Sequence, residues 1–522
     1  MKKIYYFYYL LLAFGIGCLV RIIPIILNFP YPVGYDTVNY YLPYLYHFEN
    51  NWTVLLTSFP VYITIVYIFS YIFSIDIYYS FLSSNVILYG FFSISVFLLS
   101  KIILNQSFNR SLIFTVFVIF QLGTLRISWD LFRNLFSLVL FNLFLLLVYY
   151  FKQKNAMDNM ASLISFFSIS IITIFSDRLI GVLLIIVSFI CSIAYKQKYL
   201  FIINLFFTLS FLYYFLTFDR ITFVSTNSNF LDMLLNPSYG KNTFSQFDIS
   251  ILFLSIYGIL IPFFVRGFVF TEFKGRLLLI KIPLIITLFF SFTWLFIPNY
   301  GFLVPERWLL LSGIYISLIA IYGFFLLIDS FLKQKKLRKV MALVFLFIFV
   351  VYGFLYIIMP SGVIAFSLPS FFQKNTGFIF PYSMNFNSLK IIDNNDLLKS
   401  IDWINSNTSN NSIIIGSKHW RGWFSLFLQP SHQYFFEEFA DINDTLLNQT
   451  QSRDFTSLLG KKFSYLCKDD NDNVNYKNNT LLFFIDLNKG FNTTKYVYPY
   501  PPAVYTTKSF IIYNLTSQIC KG

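Results

Sequence analysis

Residues 1–41 read MKKIYYFYYLLLAFGIGCLVRIIPIILNFPYPVGYDTVNYY. Two lysines lead into an apolar run over 4–28. That run ends in a loop of prolines, a glycine and aromatics that holds one carboxylate, Asp36. An apolar helix of this length exceeds the about 20 residues needed to cross the hydrocarbon core of a bilayer. The basic start resembles a signal peptide, but the run is too long and lacks a small-residue cleavage site. It therefore reads as a retained first helix.

Similar runs follow at 79–100, 111–126, 134–151, 161–176, 179–195, 199–218, 249–266, 279–297, 307–329 and 340–358, giving eleven predicted spans. Of the 522 residues 57% are hydrophobic and only 12% are charged, where a soluble domain has about 25% charged. So few charges cannot cover a water-facing surface. The chain is predicted to be a polytopic α-helical membrane protein with about 11 transmembrane helices over 1–358 and a small C-terminal α/β domain over 359–522. The net charge of +14 does not point to nucleic acid. Residues 1–358 hold 24 Lys/Arg against 12 Asp/Glu, the tail 14 against 12, and no basic patch carries interleaved aromatics.

The charges fix a topology. With a cytoplasmic N-terminus and eleven spans, 17 basic residues fall in the inner loops and six in the outer ones: Arg126, Arg133, Arg178, Arg220, Lys241 and Arg307. The apolar stretch 60–75 would make a twelfth span, but counting it would invert that bias. It is expected to lie along the outer interface or to re-enter, within a first outer loop and its interfacial helices over 29–78. The tail is then extracytoplasmic. Its seven Asn-x-Ser/Thr sequons, at Asn407, Asn410, Asn443, Asn448, Asn478, Asn492 and Asn514, suit an exported surface, although Asn105 and Asn109 carry the same pattern on the inner side. Within the tail, 397–404 and 420–428 have helical spacing, and 412–416, 481–485 and 509–513 read as strands. Cys467 and Cys520 either pair there or remain thiols. His47, His419 and His432 are isolated histidines and read as surface or packing residues.

Four outer loops carry ionisable residues beside the membrane. Asp36 stands among aromatics, Tyr35 and Tyr40 included. A partly desolvated carboxylate suits general-base work; the competing reading is a turn residue capping the next helix. Asp130 and Arg133 follow Trp129, which reads equally as an interfacial anchor. Asp177 and Arg178 share a tight hairpin. Glu306 and Arg307 open the tenth span, where an acid also complements the helix dipole. Taken together, three arginines able to grip phosphate in a planar fork and four carboxylates at one membrane face suit transfer from a membrane-borne phosphate ester.

In these features the chain resembles the GT-C superfamily of membrane glycosyltransferases, which includes protein O-mannosyltransferases, lipid A aminoarabinose transferases and oligosaccharyltransferases. Asp36 in Gly34-Tyr35-Asp36 matches the first-loop catalytic carboxylate of the superfamily. Trp129-Asp130-Leu131-Phe132-Arg133-Asn134, Ser176-Asp177-Arg178 and Pro305-Glu306-Arg307-Trp308 are similar to its outer-loop motifs, and the exported tail completes the likeness. There are departures. Asp36 is followed by Thr37, where O-mannosyltransferases pair two acids, and against the Trp-Trp-Asp of the oligosaccharyltransferase exported domain this tail has only Trp420-Arg421-Gly422-Trp423, with no Asp. No Asp-x-Asp occurs in an outer membrane loop, so no cofactor is expected, and a divalent metal lacks the acidic pair that would support it; Asp470-Asn471-Asp472 in the tail reads as a turn.

The resemblance implies a polyprenyl- or dolichyl-phosphate-linked sugar as donor, a glycan, lipid or protein as acceptor, membrane lipids as surroundings, and no nucleic acid. It makes Asp36 the general base. Asp130, Arg133, Asp177, Arg178, Glu306, Arg307, Tyr35 and Tyr40 become substrate-binding residues, with Arg178 and Arg307 on the lipid phosphate. The alternatives are a polytopic transporter and a non-catalytic surface protein whose exported domain binds a partner. Against the transporter, the spans are apolar through their centres and show no repeat.

Overall fold

The structure is a computed structural model. It describes residues 2–32, 34, 36–48, 61–154, 160–195, 198–218, 245–270, 275–297, 300–331, 334–358, 391–409, 412–417, 420–437, 481–486 and 503–514. Two compact units are present: Met1–Val33 with Leu45–Asn385, and Gly34–Tyr44 with Phe386–Gly522.

The first unit is helical. It comprises α1 (Lys2–Asn28), α2 (Leu42–Phe48, which begins in the second unit), α3 (Val61–Phe73), α4 (Ile77–Leu98), α5 (Phe108–Ile119), α6 (Leu122–Asp130), α7 (Phe132–Lys154), α8 (Met160–Ser176), α9 (Arg178–Ala194), α10 (Lys198–Phe218), α11 (Gln246–Tyr257), α12 (Ile261–Val269), α13 (Leu278–Ser291), α14 (Pro305–Phe331) and α15 (Lys335–Ile358). Every predicted span overlaps helix, the ninth only as far as Ser291 before a 3-10 turn over Thr293–Leu295. Among the described residues six helices are long and apolar enough to cross a membrane, or seven if the bent pair α5–α6 is one span.

Two departures from the expected spans have visible causes. The third is broken, bending by 63° between α5 and α6, because Gln121 caps α6 by accepting from the Thr124 N–H at 3.2 Å and so starts a new helix. The eighth passes through a 3-10 turn, Gly258–Leu260, ahead of Pro262 in the first turn of α12. Within the stretch 60–75, Val61–Phe73 forms α3, 13 residues and about 20 Å by helical rise, one of the shorter apolar helices. Its Tyr62, Ile63, Val66 and Tyr67 are buried.

Without a hydrophobic drive between helices in lipid, close packing must hold them. Glycines permit it at α12 and α14. A Cβ on Gly267 would stand 2.2 Å from the Ile319 carbonyl oxygen, and one on Gly323 would stand 2.0 Å from that of Phe263. Polar contacts also join helix ends. Arg110 and Arg338 share Asp329 at 3.0 and 3.3 Å. Lys152 lies over the Tyr195 ring at 4.0 Å, and the Tyr195 hydroxyl donates to the Gly275 carbonyl at 3.0 Å.

The second unit holds a five-stranded sheet built from β1 (Ile413–Ser417), β2 (Gln433–Glu437), β3 (Leu481–Asp486), β4 (Ala503–Thr506) and β5 (Phe510–Asn514) in the order β2-β1-β3-β5-β4. β1 runs parallel to both neighbours, and β3 and β4 run antiparallel to β5. Ile413, Ile414 and Ile415 are all buried, as an unbroken apolar run in a parallel strand requires. Two helices flank the sheet: α16 (Ile391–Asn407) and α17 (Arg421–Phe427). Trp403 of α16 stacks on Tyr505 at 5.1 Å and Phe424 of α17 on Tyr434 at 4.2 Å. The two helices and three strands expected in the tail are present; β2 and β4, at the sheet edges, are additions.

Candidate functional site

Asp36 opens a π-helical turn, Thr37–Tyr41, from the N-cap position, yet its side chain makes no cap hydrogen bond. The capping alternative for this carboxylate therefore does not apply. It is half-buried, while Thr37, Val38 and Tyr41 are buried and Tyr40 is exposed. Gly34, two residues earlier, has φ +100°, a conformation open to glycine and rarely to other residues. Its carbonyl accepts from the Val38 N–H at 3.3 Å. Tyr35 lies outside the described residues, as do Cys467, Cys520 and the pair Asp470 and Asp472.

In the helical unit the sequence-expected residues fall at helix ends. Asp130 ends α6, though its side chain is outside the described set. Arg133, in the first turn of α7, donates from Nε to the Ser176 carbonyl at 3.2 Å. It is thereby brought to the Ser176-Asp177-Arg178 hairpin that joins α8 to α9. Asp177 is 6% exposed and is the N-cap of α9, with Oδ1 accepting from the Leu179 and Ile180 N–H groups at 3.0 and 3.1 Å. Such a cap uses the carboxylate structurally. Arg178, half-buried, is the first residue of α9.

Glu306 and Arg307 are half-buried in the first turn of α14. Val304, just before Pro305, has φ +52°, a costly conformation for a β-branched residue. Trp308 is buried and stacks on Phe290 at 4.6 Å. α6 packs on α14, and both meet the Tyr257 hydroxyl, which donates to the Leu309 carbonyl at 3.0 Å. A Cβ on Gly123 or Gly313 would come within 2.6 or 2.4 Å of that oxygen.

Arg21 lies inside α1 and is 2% exposed. Its guanidinium stands 5.4 Å from the Trp129 ring centre and 5.5 Å from that of Phe132, and Nη2 donates to the Trp129 carbonyl at 3.4 Å. Arg21 Nε and Nη1 and Trp129 Nε1 are buried with no hydrogen-bond partner. Three orphaned donors make a surround that favours an anion. The signal in the sequence was one arginine inside an otherwise apolar span, which is costly and usually functional; counting loop charges passes over it.

Among the described residues no group of three or more His, Cys, Asp or Glu side chains is placed to hold a metal ion.

Comparison with known proteins gives a fold. No family model matches the chain, and no curated protein matches it in sequence. Solved structures do. The crystal structure of ArnT from Cupriavidus metallidurans in the apo state matches with a TM-score of 0.52 and 12% identity, over 98% of this chain and 98% of that one. ArnT from the same organism bound to undecaprenyl phosphate matches with a TM-score of 0.50 and 10% identity, over 97% of each chain. The chain thus has the fold of these ArnT structures over nearly its whole length.

Proposed function

We propose that the protein is a membrane glycosyltransferase that moves a sugar from a polyprenyl-phosphate donor to an acceptor at the extracytoplasmic face. The observation that carries this reading is the likeness of nearly the whole chain, membrane part and tail together, to a protein solved with undecaprenyl phosphate bound. The cytoplasmic face is the one bearing the 17 basic loop residues, by the positive-inside rule. The exported domain is assigned to 359–522, and 1–358 to the membrane.

Asp36 is the general base. Its carboxylate takes the proton of the acceptor hydroxyl or amine as the acceptor atom bonds to the anomeric carbon. The bond from that carbon to the phosphate oxygen breaks, and its electron pair leaves with polyprenyl phosphate. The leaving group needs charge stabilisation more than a proton. Arg178 and Arg307 supply it as planar, permanently charged forks, and Arg21 adds a desolvated one. Asp130, Arg133, Glu306, Tyr35 and Tyr40 contact donor or acceptor. Asp177 acts beside them through the hairpin it caps. Step and roles require no metal ion.

The test is incorporation of label in membranes. Cells lacking the gene are complemented with wild type or Asp36→Asn, and isolated membranes receive polyprenyl-phosphate donors bearing radiolabelled sugars. Label is expected in an envelope acceptor with wild type alone. Equal incorporation by the variant would remove Asp36 from the mechanism, and none with either protein would count against the transferase.

A further inference from the structure

Helix α17 starts without a cap of its own. The first N–H groups of a helix have no partner within it and are usually met by a Ser, Thr, Asp or Asn just before the first turn. Here the N-cap is Trp420, which makes no side-chain cap hydrogen bond. The missing acceptor comes from 383 residues away: the Gly422 N–H donates to Asn39 Oδ1 at 3.0 Å. The approach leaves no room for a side chain. A Cβ on Gly422 would lie 2.3 Å from the Val38 carbonyl oxygen, 2.6 Å from the Val38 carbonyl carbon and 2.7 Å from Asn39 Oδ1.

Val38 and Asn39 belong to the π-helical turn that Asp36 opens. The segment Gly34–Tyr44 forms one compact unit with Phe386–Gly522 and not with the helices on either side of it in sequence. The turn packs on α17, and its Val38 and Tyr41 are buried.

We infer that the exported domain is a clamp for the segment that carries Asp36, and that Asn39 and Gly422 are positioning residues for that carboxylate. This rests on the reading of Asp36 as the base. Asn39 does two things at once: it caps a helix of the tail, and it fixes the turn three residues beyond Asp36. The tail is then a part of the catalytic apparatus and not an appended binding module.

The test uses the full chain, purified in lipid, with two readouts. Hydrogen exchange of peptides covering 36–44 reports the clamp, and donor turnover reports its consequence. The variants are Gly422→Ala, Asn39→Leu and Asn39→Asp. Gly15→Ala serves as control, because a Cβ there meets nothing within 4 Å. Gly422→Ala and Asn39→Leu are expected to speed exchange over 36–44 and to lower kcat by about 10–100-fold, the scale of an ångström misplacement, with the KM for donor within about two-fold. Asn39→Asp, which keeps an acceptor and adds a charge favourable at a helix start, is expected to restore both readouts relative to Asn39→Leu. Gly15→Ala should match wild type.

Unchanged exchange over 36–44 in Gly422→Ala and Asn39→Leu would overturn the clamp. Faster exchange with wild-type turnover would overturn the positioning role, as would a failure of Asn39→Asp to rescue. Should Gly422→Ala not fold, the two Asn39 variants decide. Wild-type turnover in Asp36→Asn would overturn the base assignment itself, and the exchange data would still judge the clamp.

Discussion

Replacing Arg21 with methionine separates a structural arginine from one kept for a ligand. The guanidinium has three favourable contacts. One is a long hydrogen bond to the Trp129 carbonyl at 3.4 Å, which contributes below about 1 kcal/mol. The others are the approaches to Trp129 and Phe132 at 5.4 and 5.5 Å, about 0.5–2 kcal/mol each. Against these, Nε and Nη1 are buried without partners, at about 1–3 kcal/mol each, and a desolvated ion costs several kcal/mol more. The unfavourable side is the larger. Methionine has a similar length and no polar donors, so Arg21→Met is expected to leave stability unchanged or to raise it by about 1–4 kcal/mol. Donor turnover is expected to fall by about 100-fold or more, the scale set by removing a preorganised charge from a reacting oxyanion. Thermal melting in detergent and a donor-release assay on the same preparation measure both. A destabilised Arg21→Met would refute the energetic reasoning, and a stable, fully active one would refute the role.

Asp177→Ala should cost about 1–2 kcal/mol through loss of the α9 cap, with Asp177→Ser recovering much of it; an unchanged melting temperature would contradict the cap. Gly323→Ala should destabilise by at least about 1–3 kcal/mol, since its Cβ would press on the Phe263 carbonyl. Gly258→Ala, where a Cβ meets nothing within 4 Å, should not, and equal melting of the two would contradict the close approach. His432 is buried, neither ring nitrogen has a hydrogen-bond partner, and burial lowers its pKa from the usual 6.5. The folded tail thus resists a proton that the unfolded chain accepts. The stability contributed by neutral His432 is complete above pH 6.5 and is lost as pH falls below it. Melting followed from pH 7.5 to 5 should show that loss in wild type and a flatter profile in His432→Phe; parallel profiles would contradict it.

The membrane part was legible because bilayer thickness imposes a length on apolar runs: each predicted span overlaps helix, and six or seven helices among the described residues reach spanning length. The breaks were harder to read. The kink before Leu122 depends on the Gln121 side chain turning back onto Thr124, a local choice that hydropathy does not register. In the tail, the unbroken isoleucines of 413–415 announced a buried strand. β2 and β4 are edge strands, paired on one side only, and their sequences, QYFFE and AVYT, carry little periodicity.

The candidate site was partly visible. The arginine and carboxylate motifs stood out by contrast with their apolar surroundings. That Arg133 reaches the Ser176 carbonyl, or that Asp177 is occupied by two backbone N–H groups, required coordinates. Arg21 was hidden by a tally of loop charges that assigns no meaning to a basic residue within a span. The link from Asn39 to Gly422 has no local signature, because its partners are 383 residues apart and what each lacks is seen only when the other is present.

The most direct measurement is release of polyprenyl phosphate by the purified protein in lipid, given a broad pool of polyprenyl-phosphate sugars and envelope acceptors. Wild type is expected to release one polyprenyl phosphate for each sugar transferred, and Asp36→Asn to release none while remaining folded. Folded wild-type protein that releases none from any donor would contradict the transferase and leave a likeness of fold alone.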